Sequence, residues 1–218
     1  MHIEILVEDQ SGKVALETLV PKIVPSNVTF KVISYKGIGH LPKNLNAQLD
    51  PQKRVLLNRL PALLKGYGKS FANFPEGYEA ALIVVCDLDD RDKSQFLAEL
   101  KGVLDTCDPR PEAYFCLSIE EGEAWLLGHK DAVRTAYPDR KDAVIDAYIY
   151  DSICGTWECL ADAVHKGGRA ALKGNGHEAG KAKSEWASKI SVLIDIEENM
   201  SPSFQFLVRT LSEICGVE

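Results

Sequence analysis

The side chains in this sequence best suited to chemistry are carboxylates, and most of them stand where apolar runs end. Asp87 and Asp89 follow the uninterrupted apolar stretch ALIVVC at residues 81–86, with Asp90 and Asp92 close behind. In extended backbone alternate side chains share a face and the chain rises about 3.3 Å per residue, so Asp87 and Asp89 are expected to project together roughly 7 Å apart. Such a pair suits a hard divalent cation, Mg²⁺, Mn²⁺ or Ca²⁺. The competing reading is a strand that ends and passes into a solvated loop and helix start. Glu8 stands at the end of another apolar run, HIEILV. Glu120 and Glu123 lie three residues apart, which puts them on one helical face. An acidic first helical turn explains them equally well, and both readings stand.

Cations gather in one place. Residues 165–183, HKGGRAALKGNGHEAGKAK, carry Lys166, Arg169, Lys173, Lys181 and Lys183 against one acid, Glu178. A glycine-rich, lysine-bearing segment in an acidic protein reads as a loop facing phosphate or as a solvated loop. Lys36 begins a second candidate, KGIGH, in which GxG falls short of a dinucleotide fingerprint.

The elements that must position these groups alternate. Residues 2–7 and 28–35 read as strands, as do residues 81–86 and the aromatic, apolar 113–119. Helices are expected between them: from Lys13 to Pro25 with Ser11 as the cap, over 45–64, and over 93–104. A loop marked by Gly66, Gly68 and Pro75 is expected at 65–76. This βαβαβαβ order predicts an α/β fold, a mainly parallel sheet of about four core strands flanked by helices and ligand-binding at its carboxyl edge. After residue 128 the strand pattern fades. Helices are expected at 131–136, 142–149, 157–164, 178–194 and 202–214, the last opened by Ser201 and Pro202. The division expected is therefore 1–128 for the α/β domain and 129–218 for a helical extension packed on it.

Composition narrows the functional classes. An apolar fraction of 45% and a charged fraction of 26% fit one ordinary globular unit, and a net charge of -7 excludes steering of nucleic acid by the whole protein's field. A nucleic-acid partner then needs a local basic patch or bridging cations. No apolar run reaches a membrane-spanning length and the N-terminus has no signal-peptide layout, so a cytoplasmic location and no membrane partner are expected. The six cysteines form no CxxC pair, which removes the common zinc motifs.

Several ordered segments carry a resemblance: ILVEDQSGKVALETLVPKIV, YKGIGHL, VCDLDD, IEEGEAWLLG, KSEWASKISVLIDI and SPSFQFLVRTL. Together they resemble the TOPRIM domain of topoisomerases, primases and OLD-family (overcoming lysogenization defect) nucleases. The chain is most similar to a TOPRIM-like family of undefined function often encoded beside ATPases in phage-defence loci. The resemblance implies that Glu8, Asp87 and Asp89 jointly hold Mg²⁺ (or Mn²⁺), with Glu120 and Glu123 at a second site. It further implies phosphodiester hydrolysis of nucleic acid, with Glu8 and Lys183 (or Lys181) in the catalytic machinery. Weaker nucleic-acid contacts fall to Lys36, Lys166, Arg169, Lys173 and Lys181, and an ATPase is the implied protein partner. One departure is visible: Asp9 follows Glu8 where the domain usually has glycine, and the first glycine is Gly12. The alternative function is a non-catalytic module that binds an ATPase or nucleic acid. A phosphatase reading of DLDD, with Asp87 as nucleophile, is weaker because Arg91 stands where that motif has Thr or Val.

Overall fold

The computed structural model describes residues 1–44 and 54–217. Strands β1 (His2–Val7), β2 (Thr29–Ser34), β3 (Ala80–Asp87) and β4 (Ala113–Ser118) form one sheet in the order β2-β1-β3-β4. Every pairing is parallel, so the fold is α/β with an all-parallel sheet. Helices α1 (Gln10–Ile23), α2 (Leu56–Ala72) and α3 (Lys93–Asp105) make the connections. Beyond β4 come α4 (Glu123–Leu127), α5 (Lys130–Ala136), α6 (Asp142–Ala147), α7 (Thr156–Val164), α8 (Gly168–Leu172), α9 (Gly176–Ser191) and α10 (Pro202–Cys215). No helix among the described residues is long and apolar enough to cross a membrane.

The continuous apolar strands follow from burial on both faces. Ile3, Ile5, Val7, Ile83, Val85 and Cys116 point into one core, with α1, α9 and α10. Their neighbours Leu6, Leu82, Val84, Cys86, Phe115 and Leu117 point into the other, with α2 and α3. Period-two alternation thus places hydrophobes on both faces, and no polar residue interrupts β3 until Asp87. Trp186 of α9 and Phe204 of α10 are almost fully buried against the first face, each contributing on the order of 1.5–3 kcal/mol through area removed from water. Residues 129–217 therefore complete the core on one side of the sheet.

Local chemistry fixes the helix ends, in places differently from expectation. Asp9, not Ser11, caps α1: its Oδ1 accepts the Gly12 N–H at 2.7 Å and its Oδ2 accepts the Ser11 hydroxyl. A Cβ on Gly12 would lie 2.6 Å from Val7 Cγ2, so this turn requires a glycine two residues into the helix. The expected helix over 45–64 falls partly outside the described residues. Its described part begins at Leu56 and continues to Ala72 through the stretch expected to be a loop. Gly68 explains the continuation: it lets α2 approach the Pro109 carbonyl so closely that an added Cβ would lie 2.0 Å from that oxygen. Short α8, which periodicity missed, interrupts the basic segment. At the far end of α9 the Lys22 ammonium donates to the carbonyls of Ser191, Val192 and Ile194, at 2.7–3.0 Å, and so closes that helix terminus.

Candidate active site

Parallel register brings the ends of β1 and β3 together. Val7 pairs with Val85 and Asp87 with Ser118, so Glu8 leaves β1 beside the last residues of β3. The Asp87 N–H donates to Glu8 Oε2 at 3.3 Å, and the Ser118 hydroxyl donates to Asp87 Oδ1 at 2.5 Å. Both carboxylates line a cavity of about 30 Å³, with Ser118, Glu123 and Lys183 also on its wall. That volume admits an ion with a water or two and excludes a nucleotide. The remaining wall is apolar, formed by side chains such as Val7, Leu16, Trp125 and Leu126.

Burial and like charge set the protonation of this pair. Desolvation, with the charges of Asp9 and Asp89, raises the pKa of Glu8 despite the hydrogen bonds it accepts from Asp87. Asp87 is raised well above the usual carboxylate range, first by burial and then by Glu8; the Ser118 hydrogen bond and Lys183 oppose this only in part. The site therefore lacks positive charge where its two acids meet.

Lys183 supplies some from across the cavity. Its ammonium is 3.2 Å from Glu123 Oε2 and 3.6 Å from Glu121 Oε1. Burial acts to lower its pKa, but Glu123, Glu121 and Asp87 outweigh burial and the net shift is upward. Lys183 is thus a fixed cation carried on α9. Burial pushes Glu121 up to about 7 even though Lys183 favours its charged form.

Two expected ligands are engaged elsewhere. Asp89 has φ 51° and so leaves the extended conformation that would have aimed it alongside Asp87. Its carboxylate meets Arg91 at 2.9 Å, and its N–H donates to the Glu120 carbonyl. The expected parallel projection of Asp87 and Asp89 is therefore corrected: the strand ends at Asp87 and the chain turns. Glu120, also left-handed with φ 60°, directs its carboxylate onto the start of α7. It accepts the N–H groups of Cys154, Gly155 and Thr156 and the Thr156 hydroxyl. Burial acts to raise its pKa, yet these bonds hold it below the usual range. The expected Glu120–Glu123 pair is corrected likewise. Glu120 anchors a helix, while Glu123 faces the cavity beside Lys183. Of the other acids in the DLDD segment, Asp92 caps α3 through the Gln95 N–H.

The basic residues divide between places. Arg169 and Lys173 line a surface pocket with Trp157 and Glu158. Lys181 pairs with Glu178 and borders an open groove with Asp9, Gln10 and His177. Lys36 and Lys166 are exposed, the first just beyond β2 and the second between α7 and α8. Sequence reasoning missed Ser118, Glu121 and Trp157. A polar residue closing an apolar strand was a usable signal for Ser118. Trp157 had none, since only the chain's return beside Lys183 gives it a place.

No family model, curated protein or solved structure matches the chain. Among the described residues no three histidine, cysteine, aspartate or glutamate side chains are grouped to enclose a metal ion. The two carboxylates present still suit Mg²⁺ or Mn²⁺, because Mg²⁺ commonly binds through one or two carboxylates and keeps waters and substrate oxygens as its other ligands. The fit rests on geometry: two half-buried carboxyl groups meet at adjacent strand ends on one cavity wall, where each opposes ionisation of the other and a divalent cation would relieve that opposition.

Proposed function

We propose that the protein is a divalent-cation-dependent phosphodiester hydrolase acting on nucleic acid, in keeping with the TOPRIM-like resemblance. The observation that carries this reading is the half-buried Glu8–Asp87 pair at adjacent parallel strand ends, with the Lys183 ammonium on the wall of the same cavity. Glu8 and Asp87 would hold the cation. When bound, it would lower the pKa of a water and polarise a phosphoryl oxygen. Ser118 keeps the Asp87 carboxylate oriented, and the backbone of Asp87 does the same for Glu8. Glu121 and Glu123 fix Lys183 so that its charge is available to a phosphate whose negative charge grows during reaction. The apolar wall excludes water and makes each of these charges count for more.

Calorimetric titration with Mn²⁺, followed by cleavage assays on single-stranded and duplex DNA and RNA, tests the proposal. Wild type should bind Mn²⁺ and cleave, and Asp87→Asn should do neither. A second reading, a non-catalytic module that binds nucleic acid or an ATPase, is favoured by the absence among the described residues of a third grouped ligand and by the engagement of Asp89 and Glu120. Binding without cleavage, with or without an ATPase partner, would select it.

A further inference from the structure

Three tryptophans differ sharply in setting. Trp125 and Trp186 are 4% and 2% exposed, whereas Trp157 is half-buried at the start of α7. The backbone N–H of Trp157 donates to Glu121 Oε2 at 3.0 Å, and the Lys183 ammonium lies 5.9 Å from the Trp157 ring centroid. Because that same ammonium meets Glu123 on the cavity wall, one lysine separates the indole from the carboxylate pair. Trp157 also lines a pocket of about 310 Å³ with Glu158, Arg169 and Lys173. That volume is at the lower end of pockets that take small ligands, enough for one nucleobase.

The pocket is assembled by the fold. Gly167 and Gly168 both have positive φ, 87° and 62°, and a Cβ on Gly168 would lie 2.5 Å from Asp162 Oδ1. This tight turn lets Asp162 accept the Arg169 N–H through Oδ1 and hold the Arg169 Nε at 3.0 Å through Oδ2. Arg169 is thereby aimed, and Lys173 follows one helical turn later on α8's far end. An aromatic residue beside Lys173 and an Arg169 whose Nε is held by Asp162, with Glu158 the one acid on the wall, matches a ligand that is apolar on its faces and anionic along its backbone.

We propose that Trp157, with Arg169 and Lys173, is a stacking platform for one base of single-stranded nucleic acid, DNA or RNA, whose backbone runs past Lys183 to the Glu8–Asp87 cavity. The choice of single strands follows from geometry: in a duplex both faces of each base are already covered by neighbours, so no face is left for the indole. The catalytic half of this statement rests on the hydrolase reading; the binding half does not.

The test separates the two. In buffer containing a chelator, tryptophan fluorescence is followed during addition of oligothymidylate, oligouridylate, an abasic oligomer of the same length and a duplex. Because Trp125 and Trp186 are buried, quenching reports Trp157. Both base-bearing single strands should quench and bind more tightly than the abasic oligomer and the duplex. A clear preference between thymidylate and uridylate would assign the platform to one of the two sources. Trp157→Ala should weaken oligothymidylate binding about tenfold and leave abasic binding unchanged, and Trp157→Phe should retain most of the affinity. Lys173→Gln should weaken both oligomers alike and reduce the salt slope by about one. Unchanged Mn²⁺ affinity in Trp157→Phe keeps the comparison valid if the alanine variant folds poorly. Equal binding of abasic and base-bearing strands, tighter binding of duplex, or indifference to Trp157→Ala would overturn the platform. Mn²⁺-dependent cleavage is assayed separately. Cleavage indifferent to Trp157 would overturn the path from the platform to the cavity and keep the hydrolase, and stacking without cleavage would keep the platform and overturn the hydrolase.

Discussion

Asp87 and Asp89 look equivalent in the sequence and are not equivalent in the molecule. Asp87 packs half-buried against Glu8 and Ser118, while Asp89 meets Arg91 at the partly exposed end of the loop. Asp87→Asn should therefore abolish Mn²⁺ binding and hold or raise the apo melting temperature, by roughly 2–4 °C for each kcal/mol of repulsion relieved. Asp89→Ala should leave Mn²⁺ affinity within about twofold, since a partly exposed ion pair is worth about 0–1 kcal/mol. Calorimetry and thermal melts on the two variants decide it, and equal loss of binding would return Asp89 to the ligand set. Lys183→Met should lower cleavage by on the order of 10²-fold, with Mn²⁺ affinity kept or increased. Its readout is the rate on folded protein at saturating Mn²⁺, because removing the partner of Glu121 and Glu123 also costs stability. A pH dependence belongs here too. Glu8, Asp87 and Glu121 all titrate above their ordinary values, so the folded state holds protons that the unfolded chain has released. Stability from these groups is complete below the ordinary glutamate value of 4.5 and is lost as pH rises toward about 7, the value Glu121 reaches. Glu120, held low by its hydrogen bonds, has the opposite sign: its contribution is present above 4.5 and falls away in more acid solution. Urea midpoints of the apo protein should accordingly fall between about pH 5 and pH 7, and saturating Mn²⁺ should flatten that fall.

At the scale of elements, the strands and the connecting helices α1 and α3 were legible, and the reach of α2 was not. β1 matched its expected bounds, and β3 was visible because burial on both faces leaves a continuous apolar run. The reach of α2 was hidden by Gly66 and Gly68, whose type signals a loop; Gly68 serves close packing against Pro109, a contact made across 41 residues of sequence. Gly68→Ala should destabilise by about 1–3 kcal/mol, read from the urea midpoint, whereas Gly66→Ala, with open space at its Cβ, should be neutral or stabilising. The acidic cluster at residues 120–123 was legible as a cluster only. Its division of labour, with Glu120 on α7 and Glu123 on Lys183, depends on two chain segments that return 35 and 60 residues later. Glu120→Gln keeps one acceptor oxygen and puts an NH2 in place of the other, so it should leave at least one of the three N–H groups at the start of α7 unsatisfied and cost about 1–2 kcal/mol without changing Mn²⁺ affinity.

For the whole molecule, the α/β class and the parallel sheet were readable from alternation alone, and the candidate site only as fragments on separate segments. Glu8 and Asp87 are brought together by β1–β3 register, and Lys183 reaches them because α9 lies along α1. The expected boundary at residue 128 marks a change of pattern that the core ignores, since Ile3, Ile5 and Val7 share one cluster with Trp186, Phe204 and Leu207. Residues 1–128 expressed alone should show no cooperative melt by circular dichroism. A sharp transition there would make the α/β part independent. The position of Lys183 also orders events in time. The carboxylates are synthesised early, and 183 − 87 = 96 further residues must follow before the lysine exists. At a synthesis rate of roughly 5–20 residues per second, several seconds pass in which a nascent chain holds its acids without their cation. Any chain cut short before α9 keeps that defect for good, with Glu121 and Glu123 never meeting the ammonium that faces them in the finished fold.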